Sequence, residues 1–400
     1  MLQLQFVSFR AGSYIIVEGK TQNDRFYIIQ NGKVRIQRQN QIPGMSPEIL
    51  GQGDFIGVIS CMSNHSQIDT AIAISDVVCI SVPRDQYPEL IEKNTPVAMK
   101  IIRTFANRMR QMNDTLVQAT LNNSSIQSSE QIFKVALYYD KIKQPNIAIF
   151  AYYQYIRANP KGDNVMEAKK RFMALRNSSR AVYFESNQDL LRVYPKNTMI
   201  FSENQSGADM FIIQEGKVKI SKIVDGTEVT LAILKKGDMF GEMALLENKP
   251  RSASAIAEEE CRLMTVNKSN FNQMVSTQPQ LVARLTTMLA ERLFVMQRQL
   301  ANSLIKSPLE KMLDMLALQV EKSKITFAQK GKTSYQTDLT VQDIATMCGL
   351  TQQEQKLNLY SFMSDPHIKI VQDKIFVPDC LELIKQAAFF RKQSTIKAFN

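Results

Sequence analysis

Tyr27-Ile-Ile-Gln-Asn-Gly-Lys-Val-Arg-Ile36 lies on Phe211-Ile-Ile-Gln-Glu-Gly-Lys-Val-Lys-Ile220 when the numbering is shifted by 184 residues. The register then runs without a gap through Gly53 and Asp54 on Gly237 and Asp238, Gly57 on Gly241, and Ala71 on Ala255. Two related domains follow. Each copy is a series of short segments rich in Val, Ile, Phe and Tyr, broken by turns at Asn31-Gly32, Gly53-Asp54, Glu215-Gly216 and Gly237-Asp238. Many short strands with regular turn signals predict a small antiparallel barrel or jelly roll. Behind each copy the apolar period lengthens to three or four residues, at Val97, Ile101, Phe105, Met109, Met112 and Leu116, and at Leu285, Leu289, Leu293, Met296, Leu300 and Leu304. That period predicts a long amphipathic helix after each barrel. The copies differ in their charges, because Glu242 falls on Val58 and Arg251 falls on Gln67.

The fold class expected is therefore multidomain α+β. The units are a barrel with its helix over 1–120, a polar linker and helical segment over 121–185, and a second barrel with a dimerisation or signalling helix over 186–305. A helical module follows over 306–380, and a C-terminal helix or tail over 381–400. Four hundred residues, 44% apolar and 22% charged, can bury several cores. No apolar run reaches the roughly 18 residues of a membrane span, and Leu2 to Phe9 reads as a strand and not as a signal peptide, so a cytoplasmic protein without membrane contact is expected. The five cysteines never stand in a C-x-x-C spacing and only His65 and His367 accompany them, which argues against a metal site and against histidine catalysis. No catalytic triad or nucleotide-hydrolysing loop is visible, so an enzyme is not expected and no cofactor is called for.

The formal net charge of +11 is unevenly spread. Lys plus Arg against Asp plus Glu is 12 to 10 over 1–120, 10 to 5 over 121–185, 14 to 13 over 186–305 and 13 to 10 over 306–400. The basic excess is largest in the middle segment. There, Ile132, Ala136, Tyr139, Ala148, Tyr152 and Pro160 stand at spacings that resemble a tetratricopeptide repeat, with Tyr155 where a small residue is usual and a basic third helix over Glu167 to Arg176. A plain helical hairpin joining two domains is the alternative. In either case one such unit cannot bury its apolar face alone, so it must pack on a barrel or on a protein partner docked at 131–176.

Gly237-Asp-Met-Phe-Gly-Glu-Met-Ala-Leu-Leu-Glu-Asn-Lys-Pro-Arg-Ser-Ala-Ser-Ala255 resembles the phosphate-binding cassette of cyclic-nucleotide-binding domains, with Gly, Glu, Pro and Arg at the family's spacing. Local physics agrees. A glycine permits close approach, a short helical turn offers free N–H groups to an anion, Arg251 can pair bidentately with a phosphate, and Glu242 can accept from a ribose hydroxyl. The resemblance implies Glu242 on the ribose, Arg251 and Ser252 on the cyclic phosphate, and the backbone of Gly241, Glu242, Met243 and Ala244 around both. It also implies Met296 and Gln297 at the positions facing the base. The ligand expected is cyclic AMP, with cyclic GMP as the alternative. In the first copy, Phe55 to Ala71 offers neither the cation nor the acid, which points to a degenerate, regulatory or structural domain.

From Gly237 to Val377 the order of elements resembles the catabolite activator (Crp-Fnr) family of transcription regulators. The residues that carry it are Ser307-Pro-Leu-Glu-Lys-Met-Leu-Asp-Met-Leu316 and Leu339-Thr-Val-Gln-Asp-Ile-Ala-Thr-Met-Cys-Gly-Leu-Thr351, with Gly349 at the turn and Ile368 to Val377 alternating as a wing hairpin. The resemblance implies a winged helix-turn-helix whose second helix enters DNA from Thr351, Gln352, Gln353 and Lys356. Gln reads adenine and Lys neutralises phosphate, yet Gln355 and Asn358 replace apolar core positions and the module is only weakly basic. The expectation is a homodimeric, cyclic-nucleotide-responsive transcription regulator. Its rival is a cyclic-nucleotide-gated protein adaptor without DNA contact. Whether the long helices pair within or between chains is left open.

Overall fold

The computed structural model describes residues 4–38, 48–121, 130–183, 190–224, 226–323, 325 and 331–399. Of the polar stretch Gln118 to Gln131, which reads in the sequence as a linker, residues 122–129 lie outside the described residues, and 118–121 belong to the helix Thr95–Leu121. In the first copy the strands Gln5–Phe9, Val77–Pro83, Arg25–Asn31 and Phe55–Ile56 form one antiparallel sheet in that order. Tyr14–Ile16, Thr70–Ala73, Val34–Gln37 and Glu48–Leu50 form the sheet facing it. The second copy repeats both orders, with Leu191–Tyr194, Cys261–Val266, Met210–Glu215 and Met239–Phe240 in one sheet. Thr198–Phe201, Ser254–Ala257, Val218–Val224 and Thr227–Leu234 make the other.

The repeat holds at the level of single pairs. Val34 faces Ala73 as Val218 faces Ala257, and both copies bulge at the same place, after Ile29 and after Ile213. The hairpin glycines explain why the motif recurs so closely. Gly32 at φ 97° and Gly216 at φ 88° hold a left-handed backbone, and a Cβ on either would stand 2.3 Å from a carbonyl oxygen, that of Asp76 or of Glu260. Only glycine fits there.

The first barrel carries the helices α1 (Val58–Ser63), α2 (Tyr87–Lys93) and α3 (Thr95–Leu121). A hairpin, α4 (Glu130–Lys141) and α5 (Pro145–Ala158), follows with α6 (Val165–Leu175). It packs on the second barrel, where Met199, Ile223 and Ile256 join its core, Tyr139 Oη donates to Glu228 at 2.7 Å and Gln131 Nε2 to the Ile223 carbonyl at 2.8 Å. Tyr155 is tolerated as a large buried residue because Gly162 leaves room for its hydroxyl, which donates to Glu130 at 2.7 Å.

The second barrel carries α7 (Glu242–Glu247), α8 (Lys268–Thr277) and α9 (Pro279–Ser303). The question left open by the sequence has an answer here: α3 and α9 pair within the chain, and each short helix packs on the long helix of the other copy, α1 on α9 and α7 on α3. The two copies thus stand in a pseudo-two-fold pair. Gln297 of α9 donates to the Ile68 carbonyl of the first copy at 2.9 Å, and Arg110 of α3 donates to the Pro250 carbonyl of the second at 3.3 Å. A homodimer through α9 would need the apolar face that α3 covers.

The last module comprises α10 (Pro308–Lys322), α11 (Val341–Met347), α12 (Gln352–Met363), a three-stranded sheet, and α13 (Cys380–Phe399). Its helix starts are encoded locally. Ser307 caps α10 ahead of Pro308, while Thr340 with Asp343 and Thr351 with Glu354 form capping boxes on α11 and α12. Gln372 and Asp373, both at positive φ, turn the hairpin between Lys369–Val371 and Lys374–Val377. The module is tied to α9 by a buried knot. Asp314 of α10, 1% exposed, accepts from Arg391 of α13 and from Asn302 of α9 at 3.0 Å, with Arg298 of α9 at 3.7 Å. Among the described residues no helix is long and apolar enough to cross a membrane, no group of three His, Cys, Asp or Glu could hold a metal, and the cysteines are free thiols.

Candidate functional site

The strand Met239–Phe240 runs into Gly241, which caps α7 at φ 79°. A Cβ at Gly241 would meet Arg251 Nη1 at 2.8 Å and the Asp209 carbonyl at 3.1 Å, so the glycine lets the arginine lie against the backbone. Arg251 is 5% exposed. Its Nη1 donates to the Gly241 carbonyl at 2.7 Å, its guanidinium sits 4.3 Å over the Phe201 ring, and its Nε has no hydrogen-bond partner among the described residues. Burial lowers its pKa to about 10, against the pull of Asp209 and Glu242 toward the charged form. A buried cation in this condition gains from an anion.

Glu242, 2% exposed, is the first residue of α7, where the free N–H groups of the turn favour a carboxylate. Its Oε1 accepts from Arg292 Nη1 at 3.0 Å, and Arg292 Nη2 also donates to the Met239 carbonyl. Arg292 was missed by the sequence reading. Two signals pointed to it: it stands one turn before Met296 on α9, and the shift of 184 puts Arg108 beneath it.

The structure brings Gly241, Glu242, Met243, Ala244, Arg251 and Ser252 together around one turn. Met243 and Ala244 are buried, and Ser252 Oγ lies 3.5 Å from Met243 Sδ. Met296 is buried in the common core, whereas Gln297 is engaged by the first copy through Ile68. Its Oε1 remains without a partner among the described residues.

In the first copy the same architecture is satisfied differently. Gly57 caps α1 at φ 73°, and Gln67 takes the place of Arg251, its Oε1 lying 3.5 Å from where a Gly57 Cβ would stand. Gln67 is 3% exposed and donates to the Gln22 carbonyl at 2.6 Å. Val58 removes the acid, and Arg108, the counterpart of Arg292, turns instead to Asp69 at 3.2 Å. Asp69 also receives Arg38 Nε at 2.6 Å, and Arg38 bonds Glu48 at 2.6 Å. Arg38, Glu48, Asp69 and Arg108 of this copy are thus paired with one another.

The family described as the cyclic nucleotide-binding domain matches residues 6–94 and again 191–278. The chain carries this domain twice. Relatives include a CRP-like cAMP-activated global transcriptional regulator of Mycobacterium tuberculosis, 26% identical over 201 residues, which span 48% of this chain and 86% of that protein. A cyclic AMP receptor protein of Thermus thermophilus is 35% identical over 26% of this chain and 48% of its own length. A cAMP-dependent protein kinase regulatory subunit of Debaryomyces hansenii is 26% identical over 67% of this chain and 44% of its own. Among solved structures, a CooA mutant from Carboxydothermus hydrogenoformans matches with 20% identity and a TM-score of 0.42, covering 49% of this chain and 87% of that one.

Within the second cyclic nucleotide-binding domain, a carboxylate and a guanidinium, both buried, are held at one short turn by separate partners. The turn thus presents a hydrogen-bond acceptor at Glu242 and a cationic donor at Arg251. The first domain offers neither group at these positions.

Proposed function

We propose that the chain is a cyclic-nucleotide-responsive regulator, with cyclic AMP as ligand and cyclic GMP as the alternative, of the catabolite activator type. The observation that carries this is the Glu242–Arg292 pair, which joins the ligand turn to α9. Ligand held by Glu242 and Arg251 would act on the same side chain that grips α9, and α9 leads through Asp314 into the last module. A ligand moves this equilibrium only if it favours one arrangement of α9 over another.

In this reading the first barrel is a degenerate copy that serves as a built-in partner, filling with α3 the place a second protomer would take. The module from Pro308 to Val377 acts as a winged helix-turn-helix. Thr351, Gln352, Gln353 and Lys356 would meet DNA, and all four are exposed at the start of α12. One module per pair of barrels reads one half-site, unlike the paired half-sites of a symmetric dimer.

A second reading, a cyclic-nucleotide-gated protein adaptor, is favoured by the outer face of α12, where Leu357 is 71% and Tyr360 81% exposed. Capture of genomic fragments with the ligand-saturated chain separates the two. The regulator should enrich fragments sharing a short unpaired motif, with binding that falls steeply as salt rises. No enrichment at low salt would leave the adaptor.

A further inference from the structure

Between α5 and the second barrel lies a cavity of about 270 Å³ whose wall includes Tyr183, Arg192, Phe201, Asp209 and Arg251, with Arg157 also lining it. Glu242 and α7 do not line it. Arg251 lines this space and at the same time bonds the Gly241 carbonyl at the head of the cassette turn.

The lining is cationic and aromatic. It holds three arginines against the single carboxylate of Asp209, which stands 3.8 Å from Arg192. Arg251 Nε and Tyr183 Oη are both buried with no hydrogen-bond partner among the described residues. Tyr183 itself is fixed as a wall, stacked on Phe150 at 5.8 Å and edge-on to Tyr153 at 4.7 Å, while Arg157 lies over the Tyr153 ring at the exposed end of α5. A dry cavity of about 150 Å³ already accepts a benzene ring, so this one has room for a ring and an oxyanion head together. Two unmet donors beside a positive excess call for acceptors, and the flat aromatic walls call for a flat apolar body.

We propose that this cavity binds a small organic anion, a carboxylate or phosphate monoester on a planar apolar body, wedged between the helical hairpin and the second barrel. Such a ligand would satisfy Tyr183 Oη and the Arg251 guanidinium and would fasten the hairpin to the barrel. The site shares Arg251 with the proposed nucleotide site but is not lined by Glu242.

Phenyl phosphate is a suitable probe. Titration calorimetry on the full chain should give one saturable site, weakened about tenfold by Tyr183→Phe and by Arg157→Ala, each of which removes one hydrogen bond or charge from the anion. Lys33→Ala, an exposed change on the first barrel, should leave it unchanged. Arg157 is exposed, so its loss should not unfold the chain, and a melting curve checks this. The proposal is overturned if phenyl phosphate gives no saturable heat at millimolar concentration, if its affinity is the same in both cavity variants, or if inorganic phosphate binds as tightly. Cyclic AMP is titrated on a separate sample, because the two sites share Arg251: no heat from cyclic AMP where phenyl phosphate binds overturns the nucleotide reading alone, and no heat from phenyl phosphate where cyclic AMP binds overturns the cavity alone.

Discussion

Arg292 donates to the Glu242 carboxylate across 3.0 Å, and so ties the end of a ligand turn to the middle of α9. Glu242 is 2% exposed, and removal of a partner leaves a buried charge uncompensated. Arg292→Ala should therefore cost about 3 kcal/mol of unfolding free energy, measured by chemical denaturation. Adding Glu242→Gln to Arg292→Ala should restore most of it. If the two losses simply add, the pair is not what holds the turn to the helix.

The cassette makes a different kind of prediction, about affinity. Arg251→Ala removes the buried guanidinium and should cost about 2 to 3 kcal/mol of cyclic AMP binding, some 30- to 150-fold in Kd. Gln67→Ala, at the matching place in the first domain, should leave that affinity unchanged. Equal losses in calorimetric titration would show that the first domain is itself a binding site.

The ion network of the first domain should make it sensitive to acid. Burial pushes the Asp69 carboxyl up, but Arg108 and Arg38 outweigh it and hold its pKa below the ordinary 3.8. A carboxylate whose folded pKa is depressed stabilises the fold above its unfolded value, and that contribution is lost as pH falls through the folded value. Stability should thus be level above about pH 5 and decline below about pH 4. Asp69→Asn should flatten that decline, with a lower plateau at neutral pH. An unchanged acid limb in the variant would place the sensitivity elsewhere.

How much of this was legible in the sequence depends on the range of the interaction. The barrels and their turns follow from local signals, glycines at 32 and 216 and short runs of Val, Ile, Phe and Tyr, and these recur at one fixed shift, whereas the bulges after Ile29 and Ile213 show only in the structure. The cassette was legible because Gly241, Glu242 and Arg251 fall within a short window. Arg292 lies 50 residues beyond Glu242 and was hidden by the amphipathic period around it. The reciprocal contacts were hidden more deeply. Gln297 reads as a base-facing residue of its own domain, and only the pairing of α3 with α9 reveals that it bonds Ile68. The hairpin shows the opposite case: the need to cover its apolar face was readable, but which barrel would cover it was not.

The output is expected to fail separately from the sensor. Asp314 is shared by Arg391 of α13 and by Arg298 and Asn302 of α9, so its charge joins the signalling helix to the last module, while the cassette grips the middle of α9 through Arg292. Asp314→Asn keeps the size of the side chain but removes the charge the guanidiniums share. Because breaking a buried ionic contact is destabilising by about 3 to 5 kcal/mol, the module should loosen locally. Cyclic AMP affinity should stay within about twofold of wild type, since Asp314 and the cassette carboxylate bond different residues of α9 and share no partner. Hydrogen exchange read by mass spectrometry should show, in the wild type, that cyclic AMP changes protection over 308–363, and in the variant that this response is lost while the response over 241–252 remains. A full response in the module of Asp314→Asn would mean that the signal leaves α9 by another route, with the contact of α11 on the strand Thr227–Leu234 as the next place to cut.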